Sequence, residues 1–154
     1  IMMRKKYEIQ LRCGVALSSF ILFENRSCWG LFATFRLFYL IEKLMPFASD
    51  TIIHEFSKTQ YKWCTDNEKE MWAFFLDAKL FYETSAAKVN KYVNPAPNSA
   101  GMPVDSPGRT ACYLGWKIVH AYMTKFPKTT IDQLIKMNDA QKFLEDSKYK
   151  PSRK

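Results

Sequence analysis

His54 and Glu55 stand side by side in TIIHEFSKTQ, as they would at the start of a zinc-peptidase helix. That chemistry needs a second histidine four residues after the first, so that both imidazoles face one metal. Lys58 stands there instead, and His54 and His120 are the only histidines, so histidines alone cannot assemble a zinc site. The four cysteines, Cys13, Cys28, Cys64 and Cys112, show no C-x-x-C pairing. Cys64 and Cys112 fall on apolar helix faces, where a free buried thiol is the expectation. A disulfide between them is the alternative in an oxidising compartment. No metal, cofactor or catalytic residue is expected from these residues.

One carboxylate is out of place. Tyr61, Cys64, Met71, Trp72 and Phe75 make the apolar stripe of a helix, and Glu68 falls inside it with Asn67 at its edge. A carboxylate there is costly unless it is paired and hydrogen-bonded. Arg109, placed in the first turn of the next long helix, is a cation opposing its own helix dipole. Its planar guanidinium can hold a carboxylate with two hydrogen bonds. The expectation is therefore a Glu68–Arg109 pair across two helices, with Asn67 completing the network and Arg36 as the rival cation. Such a network is either a structural ion pair or part of a functional site.

The elements that must position these residues read as helices. In Ser106 to Pro127 (SPGRTACYLGWKIVHAYMTKFP), Ser106 is the expected cap and Pro107 is preset for the first turn. The stretch after Arg109 is apolar almost all round, with only Thr110, Lys117, His120 and Thr124 as a polar stripe. That marks a buried central helix over 106–126. Gly115 costs about 1 kcal/mol in a helix interior, and a second helix in close approach would compensate. Gly30–Met45 reads as a buried helix ended by Pro46, and Gln60–Phe81 as a second long one. Asp50 caps a short turn between them. From Ser85 to Pro103 the chain has loop chemistry, with a short helix at Ala86–Tyr92. Thr130 with Gln133, then Asn138 with Gln141, are capping-box patterns for two last helices. The fold class is all-α, a single helical domain with Trp72, Phe75, Leu114, Ile118, Val119 and Tyr122 in its core.

Composition agrees, since 47% hydrophobic content over 154 residues supports one real core. A net charge of +8 would suit an acidic surface, but no aromatic-basic interleaving or nucleic-acid motif accompanies it. Nucleic acid is not an expected partner, and no small-molecule substrate is evident. Residues 1–29 read as an N-terminal extension or a weak signal-like segment: Arg4, Lys5 and Lys6, then an apolar run from Val15 to Phe23. With Ile1 in first place, the expectation is a chain truncated at its N-terminus. The domain proper is expected over 30–154.

Several pieces then fall into an ordered set. They are Trp63-Cys64, Asn67-Glu68, Trp72, Leu80-Phe81-Tyr82, Ser106-Pro107-Gly108-Arg109, Gly115-Trp116-Lys117-Ile118-Val119, Tyr122-Met123 and Ser147-Lys148-Tyr149-Lys150-Pro151. In this order and spacing the chain resembles the C-terminal half of the GldB gliding motility lipoproteins of Bacteroidetes. The resemblance implies an exported, lipid-anchored protein of the cell envelope, held to the membrane by an anchor upstream of this chain. Its partners would be other envelope proteins of the gliding and secretion machinery. It also implies a helical fold related to zincin-like peptidases, whose metal-binding helix would lie upstream. The chain departs from that pattern in lacking a lipobox and a metal-motif helix, and in carrying His120 where the family favours Arg.

Three functions compete. The first is a non-catalytic envelope component of gliding and secretion. The second is the C-terminal half of a zinc peptidase whose metal helix is missing. The third is a basic helical module holding an acidic partner through Lys148, Lys150, Arg153 and Lys154.

Overall fold

In the computed structural model, which describes residues 29–137 and 139–151, every regular element is helical. The elements are α1 (Trp29–Leu44), α2 (Asp50–Ile53), α3 (Lys58–Asp66), α4 (Glu68–Asp77), a 3-10 turn (Leu80–Tyr82), α5 (Ala86–Val93), α6 (Thr110–Lys125), α7 (Ile131–Lys136) and α8 (Ala140–Ser147). Residues 1–28 of the expected extension, with Cys13 and Cys28, and Asn138, Arg153 and Lys154 lie outside the described residues, while Trp29 already belongs to α1. Among the described residues no helix is long and apolar enough to cross a membrane.

α6 is the centre, because its sequence leaves almost no polar surface. Residues Thr110 to Trp116, with Ile118, Val119 and Tyr122, are all buried. α1 lies along it with Phe32, Phe35, Phe38 and Tyr39 inward, the spacing of one helical face. The Phe35 ring of α1 lies directly on Gly115 of α6, where a Cβ would overlap it. α8 closes another side, with Phe143 stacked on Tyr122 at 4.2 Å and edge-on to Phe32 at 4.5 Å. On the α4 and α5 side, Phe75 meets Phe81 and Tyr92 at 5.5 and 5.4 Å. The core contains Phe75, Leu114, Ile118, Val119 and Tyr122 as expected, whereas Trp72 is half-buried at its edge.

Three boundaries differ from the sequence reading. The expected Gln60–Phe81 helix is broken at Asn67, whose φ of −107° and ψ of 21° leave the helical region. Its side chain bonds back to the Trp63 carbonyl at 2.8 Å, the local competition that makes Asn a poor helix-interior residue. The first piece begins earlier, at Lys58, under a capping box made by Ser57 and Gln60. The central helix starts at Thr110, not at 106–107. Its N-cap is Arg109, in the left-handed region with φ 61°, and the Ser106 hydroxyl accepts from the Ser99 N–H at 3.4 Å instead of capping. The last helix is capped by Asp139, which accepts from the Lys142 N–H, one residue beyond the pattern read from Asn138. The Thr130–Gln133 capping box is formed as expected.

The loop from 94 to 109 is tied down from within. Ser99 Oγ donates to the Pro107 carbonyl at 2.8 Å and lies 2.7 Å from Thr110 Oγ1, with Ser99, Ser106 and Thr110 all fully buried. Gly108 passes so close to Ala96 that a Cβ would sit 2.5 Å from its carbonyl oxygen. That contact accounts for the glycine of the Ser-Pro-Gly motif.

Leu114 is completely buried, so Leu114→Ala should lower stability by about 2–5 kcal/mol in denaturant unfolding. A loss under about 0.5 kcal/mol would contradict this packing.

Candidate functional site

The break at Asn67 makes Glu68 the first residue of α4, where a carboxylate is favoured by the helix dipole. Glu68 is only 8% exposed, and three donors converge on it. Tyr149 Oη donates to Oε1 at 2.5 Å, Tyr113 Oη to Oε2 at 3.3 Å, and Lys117 Nζ stands 3.5 Å from Oε2. The Lys117 ammonium also lies over the Tyr113 and Trp116 rings, at 5.6 and 5.5 Å. Burial first, and then the Glu68 carboxylate, push the Tyr149 phenol well above its ordinary range, so it stays a proton donor. Tyr149 also meets Trp72 edge-on at 5.0 Å. The Ser-Lys-Tyr-Lys-Pro segment is thus fastened to α4 through one hydroxyl and one ring.

Arg109 does not pair with Glu68. It is bonded to Glu55, and both residues occupy the left-handed region, with φ of 61° and 54°. The cap position turns the Arg109 side chain toward the α2–α3 corner, away from α4. Arg36, the rival cation, serves another purpose: Nη1 donates to the carbonyls of Leu134, Ile135 and Met137 at 3.0, 2.5 and 2.6 Å. There it satisfies the open C-terminal end of α7. Asn67 stays on its own helix end. The structure therefore gives each of the four expected network residues different partners. Among the motif residues, Trp63 lends its carbonyl to Asn67, Trp72 holds the tail, Gly115 admits Phe35, and Ser106, Pro107 and Gly108 form the tied loop.

A second buried-edge carboxylate has no counterpart in the sequence reading. Glu42 Oε2 accepts from the Trp116 indole at 2.7 Å and lies 2.5 Å from His120 Nε2, and Lys43 stands 3.6 Å from Oε1. Burial works to raise the Glu42 pKa, but the Trp116 and His120 hydrogen bonds outweigh it and the net shift is downward. An ionised carboxylate only accepts, so His120 Nε2 carries the proton it shares. The signal available was position: Glu42 continues the Phe35–Tyr39 face of α1 at helical spacing.

Among the described residues the arrangement orients side chains, and neither cysteine is an activated nucleophile. Burial pushes the Cys64 and Cys112 thiols up to about 12, leaving both protonated at neutral pH. Both are free thiols. A zinc ion of the kind found in zincin-like proteins does not fit these donors. His54 is sealed among aromatic rings, His120 is committed to Glu42, and no three His, Cys, Asp or Glu side chains gather among the described residues.

Removing the Tyr149 hydroxyl (Tyr149→Phe) should cost about 1.5–3 kcal/mol, the range for a hydrogen bond to a charged group. In a double-mutant cycle with Glu68→Gln the two losses should be non-additive by at least about 0.5 kcal/mol. Additive losses would mean that the tail is not held through this carboxylate.

Among known proteins, the family described as "Gliding motility protein GldB" has a model that matches residues 36–151. No curated protein and no solved structure matches the chain.

Proposed function

The chain belongs to the GldB gliding motility family, and from that premise we propose that it is a non-catalytic, lipid-anchored component of the cell envelope. In this reading it serves gliding motility and the associated secretion machinery. It works by binding other envelope proteins of that machinery. The single observation that carries the reading is the family match from Arg36 to Pro151, which takes in almost every described element. The geometry is in keeping with a binding part. Both buried-edge carboxylates are engaged in fixing helices and the tail, and the core is built around one central helix.

The proposed chemistry of action is rigid presentation of surface, with the helices held in fixed relation by α6. Lipid attachment would come from a leader upstream of the residues described. The peptidase alternative would need a metal-binding helix upstream of these residues, and the zinc content of the full-length protein separates the two readings.

Deleting the gene from the organism that encodes it should abolish spreading over surfaces and lower secretion by the associated machinery, with both restored by the full-length gene. Restoration should survive Glu42→Gln and Cys112→Ser, provided the variants accumulate to normal levels, since no catalysis is asked of them. Normal spreading in the deletion strain would overturn the reading. Metabolic labelling of the full-length protein with a radioactive fatty acid tests the anchor separately, and an unlabelled, freely soluble protein would remove that part.

A further inference from the structure

Among the described residues, His54 is a side chain whose burial nothing in its surroundings explains. It is 1% exposed, and neither ring nitrogen has a hydrogen-bond partner. A neutral imidazole always carries an N–H, so a buried donor is left unsatisfied in every tautomer. The ring is enclosed by aromatic groups from several elements. Phe38 of α1 stacks on it at 5.2 Å, and Trp116 of α6 meets it edge-on at 4.9 Å. Phe56, Tyr61 of α3 and Tyr113 of α6 complete the enclosure at 5.7, 6.2 and 5.8 Å. A phenylalanine or leucine would fill such a space without the polar penalty.

The backbone at this point is strained as well. His54 closes α2, and Glu55 directly after it sits at φ 54° and is ion-paired with Arg109, itself at φ 61°. Side chains other than glycine disfavour that region. The corner from Ala48 to Ser57 is therefore kept in place by two devices, an aromatic enclosure around a titratable ring and an ion pair between two strained residues. Two apolar side chains stand out in the solvent at this corner, Phe47 beside it at 92% exposure and Ile52 half-exposed.

We propose that this corner is an acid-released latch, in which protonation of His54 expels the ring from its aromatic enclosure and frees residues 48–57 from α1 and α6. Charging the ring in place would put a cation among five aromatic side chains with no acceptor. The charged groups facing it do not remove that cost. Asp50 on α2 and Glu42 on α1 favour the cation, Lys117 and His120 on α6 oppose it, and Tyr61 and Tyr113 present phenols. Asp50 is already the acceptor for Tyr61 Oη at 2.7 Å, and Glu42 for Trp116 and His120. Burial prevails over all of them and lowers the His54 pKa from 6.5 to about 4.

Proton linkage fixes the direction. Below pH 6.5 the released corner binds a proton that the closed one refuses, so falling pH favours release until the closed form titrates near 4. Between about pH 7 and pH 4.5 the opening equilibrium should shift by roughly 60-fold. Amide hydrogen exchange corrected for intrinsic rates reads this directly. The probes are the corner N–H groups of Ile53, His54 and Phe56, bonded to Ser49, Asp50 and Thr51 carbonyls. Their protection should fall by about that factor while Leu114 and Ile118 on α6 keep theirs, and His54→Leu should hold the corner closed at both pH values.

Titration of the His54 ring by NMR in the unmodified protein decides the matter even if the variant does not fold. A folded-state midpoint near 6.5 would overturn the latch. So would corner protection that ignores pH, or loss of protection in α6 in step with the corner.

Discussion

Everything in this molecule depends on how closely α1 can approach α6. A Cβ on Gly115 would overlap the Phe35 ring, so the two helices share a space that only a glycine leaves free. With α1 seated there, Phe32, Phe35, Phe38 and Tyr39 face the core, and Glu42 arrives one turn later against Trp116 and His120. Arg36, on the same helix, reaches the carbonyls at the end of α7. One apolar contact thus sets the register of two polar ones.

The polar groups do a different kind of work. Each buried-edge carboxylate accepts from donors on other elements, and each joins segments far apart in the chain. Glu68 joins α4 to α6 and to the C-terminal tail, and Glu42 joins α1 to α6. Removing one partner of such a set leaves the survivor buried and uncompensated, which is why these groups specify a single arrangement. His54 stands apart, since it has an enclosure but no hydrogen-bond partner. In a protein of the gliding motility family, the parts that hold shape and the part able to let go are then physically distinct.

Much of the architecture was legible in the sequence. A helix with only a narrow polar stripe has to be central, and a glycine in its interior has to admit a neighbour; α6 and Gly115 obey both rules. Glu68 in an apolar stripe correctly implied a buried carboxylate in need of donors. The identity of those donors was not legible. The charge and place of Arg109 point to Glu68 only if the helix starts at Ser106. Because the loop packs Gly108 on Ala96 and ties Ser99 to Pro107, the helix starts later and Arg109 points to Glu55. Tyrosine hydroxyls as carboxylate donors carry no sequence signal, since Tyr113 and Tyr149 read as apolar residues. The break at Asn67 was equally hidden, because the hydrophobic period runs on across it while the backbone does not.

The central claim, that the α1–α6 approach at Gly115 organises the domain, is tested by a double-mutant cycle on Gly115→Ala and Phe35→Leu, read by denaturant unfolding. Alanine gains about 1 kcal/mol of helix propensity over glycine, so a net loss can come only from the crowding. Gly115→Ala alone should destabilise by about 1–3 kcal/mol, the usual cost of overpacking. Phe35→Leu removes the ring that the new methyl meets, so the double variant should recover at least about 1 kcal/mol relative to the sum of the two single losses. A stabilising Gly115→Ala, or strictly additive effects, would contradict the account.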